Sequence, residues 1–215
     1  MKRRIFTLAS IALLFAFISC EKPEPEPEPE PVTLTFSGDI VIDLGSTDAD
    51  VLAFVTASDK SEVSVSGIDY DKVGEQEATF KTGDVTEKKA VKVKANKIAG
   101  TYLIAINNET QTMRQGTYEV ETTSDYNKLS IKGIPEWFGA TEIIFTFDKD
   151  GVTTPTITAP VMYVTGSESV PNFSTKFSEI QYTKEGSGYK LVSMKVLNYG
   201  EGIQNMFFTV TFSKM

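Results

Sequence analysis

The chain has 215 residues, a formal net charge of −8, one cysteine and no histidine. These counts exclude Ser-His-Asp triads, Cys-His dyads, histidine-ligated zinc and intrachain disulfides. An acidic chain without a basic stripe is also a poor candidate for binding nucleic acid. We therefore expect a protein that is not an enzyme, carries no cofactor and has no nucleic-acid partner.

Residues 1–19 have the layout of an export signal. Basic residues at positions 2–4 precede an apolar and small stretch over 5–19. The stretch is too short for a comfortable transmembrane helix, which needs about 20 apolar residues. The small Ser19 directly before Cys20 resembles the lipobox of bacterial lipoproteins. That resemblance implies that residues 1–19 are removed and that Cys20 becomes the lipid-attachment residue, with the membrane as partner of its acyl chains.

Residues 20–31 are predicted to form a stalk behind the lipidated cysteine. The repeat EKPEPEPEPEP contains no apolar residue, and proline together with mutually repelling glutamates favours an extended polyproline conformation. The repeat also resembles the acidic stretch that follows the cysteine in surface lipoproteins of the Bacteroidota. This resemblance implies localisation to the outer membrane with display at the cell surface, and a periplasm-facing position is the alternative.

Residues 32–98 are predicted to form a first β-domain. Short runs alternate apolar and polar residues between turn residues, which is typical of an antiparallel sheet packed on one side. Segment 90–95 shows the pattern best, with apolar residues on one face and lysines on the other. Segments 63–67 and 69–74 resemble those of the bacterial immunoglobulin-like modules found in many surface proteins. That resemblance implies a β-sandwich that acts as a spacer and brings no binding residue with it.

Residues 99–215 are predicted to form a second β-domain. Its candidate strands, roughly eight or nine, suit an up-and-down meander that forms a barrel or a sandwich. Four of these strands are placed at 142–148, 152–158, 161–165 and 176–183. The Gly-x-Tyr start at residues 100–102, followed by a meander, resembles the lipocalin-like or avidin-like modules of Bacteroidota lipoproteins. The predicted fold class is therefore all-β, an N-terminal Ig-like β-sandwich followed by a C-terminal antiparallel β-meander.

The chain's single tryptophan, Trp137, lies on a predicted connection at the rim of the second domain. Sugars bind proteins largely by laying their C–H faces on aromatic rings while amides and carboxylates bind the hydroxyls. The candidate ligand-binding residues are Trp137, Phe138, Tyr126, Asn127 and Glu136. The alternative is that Trp137 closes one end of the barrel as a core residue.

Two acidic segments raise the question of a calcium site. Residues 148–152 begin like an EF-hand loop, but position twelve is Ala159 rather than glutamate, so the segment predicts a hairpin turn. Asp43, Asp48 and Asp50 could offer oxygen ligands to calcium, although solvated loop acids are commoner in an acidic chain. The sequence therefore predicts no metal site.

The sequence predicts a monomeric, non-catalytic surface lipoprotein that binds a glycan or another extracellular ligand through residues 99–215. The alternative is a structural adhesin or fimbria-like subunit that assembles with an envelope protein by strand addition. An enzyme that uses two carboxylates is a third possibility, but the sequence does not place any two acids together.

Overall fold

The computed structural model describes residues 30–109, 111–133, 142–148, 151–153, 156–164, 168–199 and 204–215. The predicted signal peptide, Cys20 and nearly all of the predicted stalk lie outside these ranges. Almost all regular structure in the described residues is β-strand, which confirms the predicted all-β fold class. Among these residues we find no helix with the length and apolar character that a membrane crossing requires.

The first part of the fold is a small two-sheet β-sandwich, here called the N-terminal sandwich (residues 32–98). Its strands in the described chain are β1 Leu34–Phe36, β2 Ile40–Asp43, β3 Val55–Ala57, β4 Ser64–Ser66, β5 Gly74–Thr82 and β6 Val85–Lys94. One sheet has the order β2-β6-β5-β4, and β1 pairs with β3 in the other. The β2–β6 pair is parallel, and the other described pairs are antiparallel.

The core of the N-terminal sandwich lies between these two sheets. Val91 and Val93 of β6 are fully buried, and Lys92 between them reaches the surface. Phe36 of β1 meets Phe80 of β5 edge to face, with ring centroids 5.1 Å apart. The apolar and polar alternation in the sequence therefore corresponds to the pleat of β6, which buries one face and exposes the other.

A short helix, α1 (Asp48–Leu52), connects β2 to β3 and has no counterpart among the predicted elements. The Asp50 carboxylate accepts hydrogen bonds from the Thr47 backbone N–H at 2.8 Å and from the Thr47 hydroxyl at 2.9 Å. Such a Thr-x-x-Asp pattern is typical of a helix start. The helix is too short to show a helical period, so this capping pattern was the signal that could have indicated it.

The second part of the fold is one curled antiparallel sheet, here called the C-terminal sheet (residues 100–214). Its described strands are β7 Gly100–Asn107, β8 Thr112–Thr122, β9 Lys128–Lys132, β10 Glu142–Asp148, β11 Gly151–Thr153, β12 Thr156–Val164, β13 Glu168–Glu185, β14 Gly188–Tyr199 and β15 Met206–Lys214. The order is β11-β10-β9-β8-β7-β15-β14-β13-β12, so the first strand of the meander pairs with the last.

The strand order requires the C-terminal sheet to curl. Strands β11 and β12 lie at opposite edges of the nine-stranded sheet in the described chain. Thr153 and Thr156 nevertheless end and begin consecutive strands, so their Cα atoms are at most about 11 Å apart. A flat sheet of this size would separate its edges by about 38 Å, at about 4.8 Å per strand. The sheet therefore forms a barrel-like layer around its buried side chains.

The structure corrects several predicted strand bounds, and the largest change of pattern lies at the edge of the C-terminal sheet. Segments 152–158 and 161–165 were predicted as two strands, whereas β11 ends at Thr153 and β12 runs from Thr156 through Pro160 to Val164. Pro160 is compatible with this strand because β12 is an edge strand of the described sheet, where a missing N–H need not break a ladder. The sequence pattern alone did not reveal that this strand lies at an edge of the sheet.

A 3-10 helix at Asn96–Ile98 joins the N-terminal sandwich to the C-terminal sheet. The predicted domain boundary between residues 98 and 99 falls directly after it. Residues Val32–Met215 nevertheless form one compact unit. Whether the two parts fold as separate domains stays a prediction.

Candidate functional site

The N-terminal sandwich and the C-terminal sheet meet at a polar contact around Asp71, here called the seam. The Asp71 carboxylate accepts hydrogen bonds from Lys184 Nζ at 2.9 Å and 3.2 Å and from the Tyr189 hydroxyl. The bonds from Tyr189 and Lys184 hold the pKa of Asp71 below its usual range. Asp71 is therefore ionised at neutral pH and links the sandwich to the β13–β14 hairpin.

A second tyrosine extends the seam next to Asp71. The Tyr182 hydroxyl accepts a hydrogen bond from the Val73 backbone N–H at 2.9 Å and donates one to the Asp71 backbone carbonyl at 3.3 Å. Its ring meets Phe147 of β10 edge to face, with centroids 5.7 Å apart. Burial raises the pKa of Tyr182, so its phenol stays neutral and can both accept and donate.

The loop that presents Asp71 is held from inside the sandwich by Gln76. Gln76 Oε1 accepts a hydrogen bond from the Asp69 backbone N–H at 2.7 Å. Gln76 Nε2 donates to the backbone carbonyls of Asp69 at 2.8 Å and Lys72 at 2.9 Å. The Asp69 carboxylate also accepts a bond from the Asp71 N–H at 3.0 Å, which is an Asx turn. The loop 69–72 is therefore fixed before any ligand arrives.

A groove of about 550 Å³ opens along the seam, here called the seam groove. Its lining residues are Gly45, Ser46, Thr47, Ile68, Asp69, Tyr70, Asp71 and Lys184. The volume lies within the range of about 300–1,000 Å³ that small-molecule sites occupy. The groove takes its first seven residues from two loops of the sandwich and Lys184 from the β13–β14 hairpin, so it depends on both parts of the fold.

Tyr70 places an aromatic ring in the seam groove. Its hydroxyl donates a 2.6 Å hydrogen bond to Asp48 Oδ1, and its backbone carbonyl accepts one of 2.7 Å from the Gly45 N–H. Burial and the Asp48 carboxylate raise the pKa of Tyr70, so the phenol remains a neutral donor. The side chain is partly exposed. A fixed ring beside carboxylates and hydroxyls can contact both the apolar and the hydroxyl-bearing faces of a polyol.

The structure places Tyr126 and Asn127 in the turn between β8 and β9, where both make structural contacts. Asn127 Nδ2 donates to the Phe147 carbonyl at 2.5 Å, and the Asn127 carbonyl accepts from the Phe147 N–H at 2.8 Å. The Tyr126 carbonyl accepts from the Ala95 N–H at 2.9 Å. Lys92 Nζ lies 5.9 Å from the centroid of the Tyr126 ring. Tyr126 therefore helps to join the sandwich to the C-terminal sheet, and Asn127 ties the turn to β10 within that sheet.

Glu136, Trp137 and Phe138 lie outside the described residues. The strand ends that flank them, Lys132 of β9 and Glu142 of β10, lie at the opposite end of β9 from the Tyr126–Asn127 turn. The described structure therefore places two of the five predicted ligand-binding residues, Tyr126 and Asn127. Their role in binding stays a prediction.

The acids considered for calcium each have another partner. Asp43 accepts from Lys94 Nζ at 3.1 Å and from Asn96 Nδ2 at 3.1 Å. Asp48 binds the Tyr70 hydroxyl, and Asp50 caps α1. Within the ranges that the structure describes, no group of three or more acidic or cysteine side chains is arranged for a metal ion.

The hairpin predicted near Asp148 is confirmed by strand pairing. β10 pairs with β11 in antiparallel register, and Asp148 lies opposite Gly151. Consecutive antiparallel strands that pair in this way form a β-hairpin, as the Lys-Asp-Gly sequence predicts. Residues 149–150 themselves lie outside the described ranges.

Sequence reasoning assigned residues 69–74 to the sandwich and did not identify the seam. The Asp71–Tyr189 contact joins residues 118 positions apart, and no local pattern encodes such a pairing. In comparisons with known protein families, curated proteins and solved structures, the chain matches none of them. The site is therefore interpreted from its geometry.

Proposed function

We propose that this chain is a non-catalytic surface lipoprotein, anchored through Cys20, that binds a glycan in the seam groove. The observation that carries the proposal is a preformed groove in which hydrogen bonds hold the Tyr70 ring, the carboxylates of Asp69 and Asp71 and the Thr47 hydroxyl. The sequence alone placed binding within residues 99–215. The groove moves the proposed site to the junction of the sandwich and the C-terminal sheet.

The chemistry of the groove suits hydroxyl-rich ligands. The carboxylate of Asp69 and the hydroxyls of Ser46 and Thr47 lie among the lining residues and can accept or donate hydrogen bonds. The Tyr70 ring offers an apolar surface for the C–H face of a sugar. Pre-organisation of the loop by Gln76 lowers the ordering cost of binding.

The electrostatics of the seam support binding rather than hydrolysis. A glycosidase needs one carboxylic acid with a raised pKa to protonate the leaving group. The pKa of Asp71 is instead held low by Tyr189 and Lys184, so this carboxylate is unsuited to act as a general acid.

Affinity electrophoresis through gels that contain soluble polysaccharides tests the proposal. We expect at least one polysaccharide to retard the protein, and the Tyr70→Ala variant to bind it about tenfold more weakly, because one ring contact is lost. Tyr70→Phe keeps the ring and should bind nearly as well as wild type. Tyr199→Ala is the matched control, since Tyr199 is a partly buried tyrosine at the far end of β14. Failure of a broad polysaccharide panel to retard the folded protein would contradict the proposal.

A second candidate function, strand addition in a structural adhesin, is favoured by the edge position of β3. At the two ends of β3, the Phe54 carbonyl accepts a hydrogen bond from the Ser37 N–H, and the Ser58 N–H donates one to the Thr33 carbonyl, next to β1. Because hydrogen bonding alternates along an antiparallel ladder, Val55 and Ala57 direct their backbone groups away from β1. The Ala57 carbonyl accepts a hydrogen bond from the Lys60 N–H at 3.0 Å, so Val55 is the residue that presents its backbone groups to an added strand. In the described chain, β3 has β1 as its one strand partner. Light scattering separates the candidates, since strand addition predicts high-mass assemblies and the binding module predicts a monomer.

A further inference from the structure

We infer that the seam groove selects uncharged glycans and discriminates against those that carry uronic acid or sulfate groups. This inference rests on the proposed function and names the ligand class of the same site. It follows from two observations. The charged groups around the groove are mostly acidic, and the one cation among its described lining residues already forms an ion pair.

The charged groups at the seam groove are predominantly acidic. Asp69 and Asp71 belong to the lining, and Asp48 lies at the hydroxyl end of the Tyr70 ring, where it accepts the hydrogen bond of the phenol. The Asp50 carboxylate accepts bonds from the backbone and hydroxyl of Thr47 in the lining, and these bonds, with a smaller contribution from Lys97, hold the pKa of Asp50 low. An anionic sugar placed beside Tyr70 would therefore enter a negative potential.

Lys184, the cation among the described lining residues, is already engaged. Its Nζ donates to both carboxylate oxygens of Asp71, at 2.9 Å and 3.2 Å, and lies 5.8 Å from the centroid of the Tyr189 ring. To bind an anionic ligand, Lys184 would have to leave a carboxylate that Tyr189 also holds in place. The Asp71 carboxylate thus competes with an anionic ligand for Lys184, which weakens Lys184 as an anion receptor.

The same carboxylates favour uncharged sugars. An ionised carboxylate accepts hydrogen bonds from hydroxyl groups, and such charge-assisted bonds are short and strong. Asp69 uses one oxygen for the Asx turn with the Asp71 N–H, and a carboxylate has further acceptor positions. The groove therefore offers acceptors for neutral hydroxyls and repulsion for acid groups.

Matched polysaccharide pairs test this inference. The neutral polysaccharides dextran, hydroxyethyl cellulose and hydroxyethyl starch are compared with the carboxymethyl derivatives of the same backbones in the same gel series. For each backbone that binds, we expect the carboxymethyl form to bind at least about tenfold more weakly at about 0.1 M salt, where the Debye length is about 10 Å. The difference should shrink at about 1 M salt, where that length is about 3 Å.

Two isosteric variants locate the effect. Asp69→Asn keeps an oxygen for the Asx turn but removes a negative charge from the groove. It should therefore reduce the difference in affinity between the neutral and the carboxymethyl polysaccharides by about threefold or more. Asp84→Asn makes the same charge change on the exposed turn between β5 and β6 and should leave the difference unchanged.

The outcomes separate this inference from the proposed function. Equal binding of neutral and carboxymethyl forms overturns the charge selection while glycan binding stands. An equal effect of Asp69→Asn and Asp84→Asn shows that net charge rather than the groove selects, which also overturns it. Absence of binding to every neutral backbone overturns the proposed function, and this inference with it.

Discussion

Gly45 lies so close to the phenol of Tyr189 that a Cβ on residue 45 would stand 2.8 Å from the hydroxyl oxygen and 3.1 Å from a ring carbon. The backbone of Gly45 also has φ +77°, a left-handed conformation that glycine adopts readily. The sandwich and the C-terminal sheet therefore approach each other here at a distance that only glycine permits.

Gly45→Ala should destabilise the protein by about 2–4 kcal/mol, because it adds backbone strain and a clash with Tyr189. Gly83→Ala is the matched control, since Gly83 also has positive φ (+52°) but has open space where its Cβ would lie. Urea unfolding of both variants separates the clash from the strain. A Gly45→Ala variant that loses no more stability than Gly83→Ala would contradict the close approach.

Tyr189→Phe should reduce the cost of Gly45→Ala, because it removes the atom nearest to the added Cβ. The cost should remain above that of Gly83→Ala, since the ring carbons of residue 189 stay in place. A double-mutant cycle measures this coupling as a difference in the free energy of unfolding. Strictly additive losses would show that the clash is relieved by movement of the loop instead.

The strands could be predicted from the sequence, whereas the seam could not. Segment 142–148 was predicted as a strand and forms β10 with those bounds, because its alternating apolar residues fit a half-buried pleat. Asp71 was assigned to a sandwich motif, and Lys184 was placed just beyond a predicted strand without a partner. Pairing across 113 residues depends on how the whole sheet curls, which local alternation does not encode.

Asp71 should make the stability of the protein depend on acid pH. Tyr189 and Lys184 lower its pKa in the folded state, and an unfolded aspartate has a pKa of about 3.9. The folded state therefore gains stability above the unfolded pKa, and this gain is lost as the pH falls through the lowered folded value. Because the carboxylate is half exposed, we expect a contribution of about 1 kcal/mol.

The comparison of wild type with Asp71→Asn isolates this contribution. The difference in the free energy of unfolding should be largest near pH 7 and should fall towards acid pH below about 4. Asp84→Asn, at an exposed turn, is the control and should follow the wild-type profile. A stability difference between wild type and Asp71→Asn that does not change between pH 7 and pH 2 would argue against an ionised Asp71 at the seam.

Lys214 fastens the end of β15 to the helix that joins the two parts of the fold. Its Nζ donates to the backbone carbonyls of Lys97 at 3.1 Å, Ile98 at 3.4 Å and Tyr189 at 2.9 Å. Lys214→Met leaves these carbonyls without the ammonium and should cost about 1–3 kcal/mol. Lys195→Met is the control, because the Lys195–Glu179 pair is exposed and should contribute at most about 1 kcal/mol. Similar losses for both variants in urea unfolding would contradict a structural role for Lys214.

The hydrogen bonds between the two parts of the fold lead us to expect that residues 32–98 and 99–215 unfold together. Tyr102, which is fully buried, donates to the Ile98 carbonyl at 2.5 Å and accepts from the Leu191 N–H at 3.1 Å, so the joining helix is bonded into the C-terminal sheet. Val73 and Ala95 of the sandwich bond to Tyr182 and Tyr126 of the sheet. Calorimetry should show one transition whose calorimetric and van't Hoff enthalpies agree. Two resolved transitions in the wild type would show that the parts unfold as separate domains.

If the contacts between the two parts cause this coupling, Gly45→Ala combined with Lys214→Met should lower the temperature of the transition or divide it in two. Gly83→Ala combined with Lys195→Met should leave a single transition.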